Sequence, residues 1–428
     1  MAVVYVTALF FIWALVTNLL DPLLKTMKTV FTLTPVEANL TGFAFFIAYG
    51  VMSMPSAAFL SKFGYAKSVM VGLGGIVAGC FIAIAAAQLH TFALVLTALF
   101  VMASGITLLQ VAANPLIASM GKPEGASFRL NLSQAFNSLG AACGLWFGAN
   151  FLLKGDIFAK GAVVTQALRE QALGFVSNVY LVIGVGLALF ILAIFMVRHK
   201  ITEAAPKTGH LVSPFSALGS KWANLGAVGI FLYVGAEVAI SLNLLLFIEQ
   251  SHVLNIPAEQ AGKLTTFYMV FAMIGRFAGS ALLKAVKDYV LLMLVALGAI
   301  AVCLVVILTK DMTPTAHAGT VNLLLASAPL TTGLIPAFAA LLIGLFNSIM
   351  FPTIFALSIE RLGALTNKAS SLLIMAIVGG AIIPFLQGLL ADRIGLHLSF
   401  ILPLLCYGYI LFYGMWGSRP RAGFSQGG

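Results

Sequence analysis

The chain has 428 residues, of which 61% are hydrophobic and only 8% charged. Soluble domains carry about 25% charged residues, so no water-soluble fold could hide this much apolar surface. The net charge of +10 would hint at nucleic acid in a soluble protein. Here the Lys and Arg residues flank apolar runs, so anionic headgroups and topology account for them, and no nucleic-acid partner is expected.

Apolar runs of helix length occupy residues 3–27, 39–61, 68–88, 91–118, 130–153 and 175–197, then 222–248, 262–284, 289–309, 334–359, 368–390 and 396–416. A bilayer core takes about 20 residues of helix, and barrel strands are about half as long and alternate. The expectation is therefore an all-α membrane protein with twelve transmembrane helices and no strands. The first run begins almost at Met1 without a basic flank, which suggests an upstream start or a trimmed terminus. Between the sixth and seventh runs, Glu203, Pro206, Gly209 and Pro214 mark a linker. The expected organisation is a six-helix bundle over 1–200, a cytoplasmic linker over 201–220, a second six-helix bundle over 221–418 and a cytoplasmic tail over 419–428. The stretch from Lys310 to Leu334, rich in Thr, Ala and Pro, reads as an outer connection holding a short surface helix.

Basic residues set the orientation. With both termini inside, the inner loops and tail carry Lys62, Lys67, Lys122, Arg129, Arg198, Lys200, Lys207, Lys221, Lys284, Lys287, Arg361, Lys368, Arg419 and Arg421. The outer loops carry fewer, so both termini are expected to be cytoplasmic. Cys80, Cys143, Cys303 and Cys406 each lie inside an apolar run without CxxC spacing and read as packing residues. The six histidines occur singly, so neither a metal nor another cofactor is expected.

Halves built as parallel repeats should show matching positions. In the fourth run Gln110 precedes Pro115 by five residues, and in the tenth Asn347 precedes Pro352 by the same spacing. The two halves thus read as pseudo-symmetric bundles.

An ionised side chain at the bilayer centre costs about 2.5–3.5 kcal/mol on insertion scales, so each one needs a reason. Asp21 lies beside Pro22, which lacks a backbone donor and should free the carbonyl of Asn18. It is read either as a proton-titrating group or as an outer-end residue that snorkels or pairs with Lys25. Glu237, near the middle of the seventh run, is read as a proton or ligand group, or as half of a buried ion pair. Arg276 is read as a snorkelling or gating residue able to pair with an acid.

Amides fill the other polar positions: Asn18 on the first run, Gln110 and Asn114 on one face of the fourth, Gln134 and Asn137 on the fifth, and Asn243 and Asn347 in the second half. Amides donate and accept without charge, which suits a neutral polyhydroxylated ligand. Trp13, Tyr49, Phe136, Tyr233 and Phe351 offer faces for a sugar ring, with core packing as the alternative for each.

The segments Asn18-Leu19-Leu20-Asp21, Gln110-Val111-Ala112-Ala113-Asn114-Pro115, Phe128 through Ser138, Gly275-Arg276-Phe277 and Phe351-Pro352-Thr353-Ile354-Phe355 resemble the fucose, glucose/galactose and N-acetylglucosamine permeases of the major facilitator superfamily. The resemblance covers nearly the whole chain. It implies the major facilitator fold, alternating access, and sugar uptake coupled to protons in a bacterial inner (cytoplasmic) membrane, by a monomer. It assigns proton coupling to the position of Asp21 and the sugar cavity to the positions of Gln134 and Asn137. Fucose permeases carry an acid where this chain has Gln110, and Tyr233 through Glu237 is more similar to the glucose/galactose branch. The expected substrate is therefore glucose, galactose or mannose, with N-acetylglucosamine or fucose as alternatives. On this reading protonated Asp21 opens a site built from Asn18, Gln110, Gln134, Asn137, Glu237 and Asn347. Sodium in place of the proton stays open. The rivals are a proton-driven exporter, which would favour an apolar cavity, and a non-transporting sugar sensor. No nucleophile elbow or His-Asp pair suggests an enzyme.

Overall fold

A computed structural model describes residues 2–32, 35–121, 125–152, 157, 164–205, 214–256, 258–312, 315–322, 327–360, 362 and 365–418. The fold is mostly helical, as a chain must be when the bilayer offers its backbone no hydrogen-bond partners. Each apolar run falls on a helix or on two consecutive ones. Eight stretches of described helix are long and apolar enough to cross a membrane.

The first run forms α1 (Ala2–Asn18) and α2 (Leu20–Val30). They part at Leu19, one residue after the carbonyl that Pro22 deprives of a donor. The second and third runs form α3 (Pro35–Gln88), two helices that meet at a kink at Gly64, with φ 79° and ψ 174°. Next come α4 (Phe92–Ser119), α5 (Ala126–Phe151) and α6 (Gln166–Ala204). Exposed Leu181, Val182, Val185, Leu189, Leu192 and Met196 give α6 an apolar outer face, which suits contact with lipid.

A 3₁₀ turn at Pro214–Gly219 leads into α7 (Lys221–Glu249), capped by the Ser220 side chain, which accepts from the Ala223 N–H. Then follow α8 (Ala258–Leu282) and α9 (Asp288–Leu308).

The connection after α9 corrects the expectations of a surface helix and of a strand-free chain. It forms an antiparallel hairpin of β1 (Ala316–Asn322) and β2 (Ser327–Thr331). Its base is tied by the Thr315 N–H, which donates to the Thr332 hydroxyl at 3.1 Å. Thr320 and Val321 are β-branched and favour strand.

The tenth run is divided into α10 (Leu334–Asn347) and α11 (Met350–Ile359). The eleventh forms α12 (Thr366–Met375) and α13 (Gly379–Ile394), and the last α14 (Leu396–Ser399) and α15 (Ile401–Phe412), ending in a π turn at Tyr413–Gly417.

Two compact units result. Unit 1 comprises Met1–Ala126, Phe136–Ala217 and Leu362–Val378; unit 2 comprises Ser127–Ala135, Leu218–Arg361 and Gly379–Gly428. The chain thus changes unit twice inside α5, once just before α7, once between α11 and α12, and once between α12 and α13.

Within unit 1, α3 and α4 meet backbone to backbone: a Cβ on Gly105 would lie 2.5 Å from the Gly72 carbonyl oxygen. Small residues permit such approach where no hydrophobic drive separates helix from lipid. Within unit 2, Gly344 of α10 lies against the Tyr268 carbonyl of α8 in the same manner. The first turns of α5 are fastened there as well. Gly125, at the start of α5, makes no side-chain cap; instead the Ser127 hydroxyl donates to the Asp288 carboxylate at the start of α9. A negative charge at a helix N-terminus is favourable. Asn131 donates to the Thr353 hydroxyl at 3.4 Å, and the Lys284 ammonium lies 4.7 Å from the centre of the Phe128 ring.

Candidate functional site

The sequence-selected residues fall into separate polar groups, each inside one unit. In unit 1, Gln110 of α4 is buried and its Nε2 donates to the Tyr49 hydroxyl of α3 at 3.1 Å. Asn114, one turn on, donates to the Gln110 carbonyl at 2.9 Å and leaves its own Oδ1 buried without a hydrogen bond. Such an unmet acceptor costs about 1–3 kcal/mol. Asn18 donates back to the Ala14 carbonyl at 2.8 Å, at the α1–α2 break. Asn137 of α5 donates to the Phe10 carbonyl of α1 at 3.0 Å. Trp13 is buried against Phe10, with ring centres 4.2 Å apart. The aromatic alternative of core packing therefore fits Trp13, whereas Phe136 is 40% exposed. Asp21 lies on α2, three residues beyond Asn18, and its side chain is outside the described residues.

In unit 2 the polar group is charged. Glu237 of α7 and Arg276 of α8 face each other, with Oε1 and Nη2 3.9 Å apart. Their side chains are 28% and 12% exposed, respectively. Around them, the Tyr233 hydroxyl donates to the Asn347 carbonyl at 3.1 Å, and Asn347 Nδ2 donates to the Tyr268 hydroxyl at 2.9 Å. Tyr233 precedes Glu237 by one helical turn, so both occupy one face of α7. The Phe351 ring lies 6.4 Å from that of Tyr233. Gln134 is buried on the start of α5, and its carbonyl accepts from Arg276 Nη1 at 3.2 Å. Arg276 thus pairs with an acid, the alternative that the sequence left open for both residues.

Asn243 belongs elsewhere. It lies six residues past Glu237, about 9 Å along the helix, and donates to Gln387 of α13 at 3.3 Å. Gln387 in turn donates to the Ser399 hydroxyl at 3.3 Å. This chain of side chains ties α7, α13 and the end of α14, which is the interhelical role open to any amide in a membrane.

Sequence reading passed over Tyr268 and Tyr407. Tyr407 is fully buried and brings a third phenol toward Asn347. The amide–proline spacing pairs Gln110 with Asn347, and each amide donates to a tyrosine on an earlier helix of its unit; that spacing alone does not single out Tyr268. Among the described residues, no group of three or more His, Cys, Asp or Glu side chains could hold a metal ion. The four cysteines are free.

Long apolar helices with buried amides, buried tyrosines and an ion pair between two of the helices define a polytopic membrane protein with a polar interior, a construction suited to passing a hydrophilic solute. The comparisons give the class its name. Residues 6–376 match the family described as Major Facilitator Superfamily, and the chain belongs to that family. The glucose/galactose transporter of Brucella abortus is 39% identical over 98% of this chain and 94% of that protein. The L-fucose-proton symporter of Escherichia coli is 29% identical over 96% of this chain and 92% of its own. Among solved structures, FucP, a Major Facilitator Superfamily transporter in the outward conformation, superposes with a TM-score of 0.80. It is 28% identical, covering 98% of this chain and 99% of that one. The relatives are transporters, and the chain is no enzyme.

Proposed function

We propose that this protein imports a hexose, glucose, galactose or mannose, together with a proton across a bacterial inner membrane by alternating access. The observation that carries the reading is the half-buried pair of Glu237 and Arg276 beside buried Tyr233, Tyr268 and Asn347 inside predominantly apolar helices. A sugar hydroxyl both donates and accepts. Glu237 offers acceptors, and Asn347 and the phenols offer both donors and acceptors. Tyr233 and Phe351 supply an apolar ring face. An ion alone would not need such a mixture, and a lipophilic solute would be repelled by it. The names of the Brucella and Escherichia relatives support a sugar as solute, and that of the fucose symporter supports the proton. The excess of Lys and Arg in alternate loops supports termini that are both cytoplasmic.

In this scheme Asp21 takes a proton from outside, the sugar is held by the Glu237 group, and the proton leaves inside. Gln110, Asn114, Gln134 and Asn137 are further candidate contacts. The deciding experiment is uptake of a panel of labelled sugars, including fucose and N-acetylglucosamine, into proteoliposomes under an imposed pH gradient. Hexose accumulation that collapses with the gradient is expected. Accumulation driven by sodium at equal pH, or preference for fucose or N-acetylglucosamine, would overturn the corresponding part. Asp21→Asn should abolish uphill accumulation while leaving sugar counterflow; loss of both or of neither removes Asp21 from coupling.

A further inference from the structure

A proline inside a helix leaves the carbonyl four residues earlier without a backbone donor. In the tenth run Pro352 does this to Ser348, and there the run divides, α10 ending at Asn347 and α11 beginning at Met350. The freed carbonyl has a partner from another helix: Arg276 Nε of α8 donates to the Ser348 oxygen at 3.0 Å. The same guanidinium donates from Nη1 to the Gln134 carbonyl of α5 at 3.2 Å, and its Nη2 faces Glu237 of α7 at 3.9 Å. Its three nitrogens therefore serve three different helices. α8 comes this close because residue 275 is glycine, where a Cβ would lie 2.5 Å from the Leu345 carbonyl.

One feature makes this arrangement specific to arginine, and a second favours any cation there. The planar fork places donors in fixed directions, which an ammonium on a flexible stem cannot reproduce. The end of α10 carries the partial negative charge of a helix C-terminus, so the cation lies between that end and the Glu237 carboxylate. We propose that Arg276 is a positioning residue that clasps the carbonyl stripped by Pro352 to the carboxylate of Glu237, so that the bend in the tenth run follows the state of Glu237. A proton or a sugar hydroxyl on Glu237 removes part of the cation's counter-charge. The hold of the guanidinium on the Ser348 and Gln134 carbonyls changes with it, and the α10–α11 junction feels the change. This inference rests on the reading of Glu237 as a ligand group.

The test is a double-mutant cycle of Arg276→Lys and Pro352→Ala. The second substitution returns a backbone N–H to the Ser348 carbonyl, so the clasp becomes redundant. Arg276→Lys should raise the half-saturation constant for the transported hexose about fivefold or more when proline is kept, but less than about twofold in the Pro352→Ala background. The melting temperature of the purified, sugar-free protein should show the same dependence on residue 352. Equal effects of Arg276→Lys in both backgrounds, including failure to fold in both, overturn the clasp. A shift in melting temperature that depends on residue 352, without one in half-saturation, overturns its link to Glu237. Should the unsubstituted protein carry no hexose, the proposed function fails, while the thermal cycle still decides the clasp.

Discussion

The two units solve one problem with opposite electrostatics. In unit 1 the amide of Gln110 donates to Tyr49, and among the described residues no charged side chain joins them. In unit 2 the amide of Asn347 donates to Tyr268, and Glu237 and Arg276 lie alongside. Both amides precede a proline by five residues, yet α4 continues through Pro115 as one helix while the tenth run breaks before Pro352. The break occurs where a cation from α8 takes the freed carbonyl sideways. A neutral amide–phenol pair can hold a hydroxyl in place but responds weakly to pH or ligand charge. An ion pair beside a bent helix responds to both.

This contrast can be broken by substitution. Glu237→Gln removes a charged acceptor, worth about 1.5–3 kcal/mol, so the half-saturation constant for hexose should rise about 10- to 100-fold. Coupling to the proton should change less than affinity. Gly344→Ala and Gly105→Ala, one in each unit, force a methyl against a neighbouring backbone and should each cost about 1–3 kcal/mol of stability. Comparable drops in melting temperature would show that the units differ in charge and not in packing. Gln110→Ala loses a neutral hydrogen bond, worth about 0.5–1.5 kcal/mol, for an expected rise of about 2- to 10-fold. If uptake assays give Gln110→Ala and Glu237→Gln the same effect, the asymmetry has no functional weight. Smallest is Ser127→Ala, which removes the hydroxyl that joins α5 to Asp288 and should cost about 1 kcal/mol, read as a lowered midpoint of thermal unfolding.

Much of this architecture is legible from residue order. Lipid leaves the backbone a choice of helix or closed barrel, and uninterrupted apolar runs of about 20 residues without alternation select helix. Pro22 announces the α1–α2 break, and the amide–proline spacing of Gln110 and Asn347 announces equivalent places in the two halves. The hairpin at 316–331 was missed because its strands, of seven and five residues, carry no apolar run and are too short for periodicity to separate strand from helix. The site was legible as a set of residue types and not as a set of partners. Arg276 with Glu237 was foreseeable because a buried cation and a buried acid need each other. Its bonds to the carbonyls of Ser348 and Gln134 were not, because which turn of α8 faces which turn of α10 is decided by the glycines between them. Asn243 looked identical to Asn347 in sequence, and only the third dimension separates a tie to Gln387 from a place beside Tyr268.

Gly64 carries a last consequence, one of handedness. A methyl there would meet nothing within 4 Å, so bulk is no obstacle to replacing it. Its backbone angles, however, belong to a region closed to L-residues and open to their mirror images. A D-alanine would be accepted at residue 64 and an L-alanine resisted, although the two are equal in size. For a ribosomal chain, restricted to one enantiomer, the achiral residue is what lets two successive spans join with no loop between them.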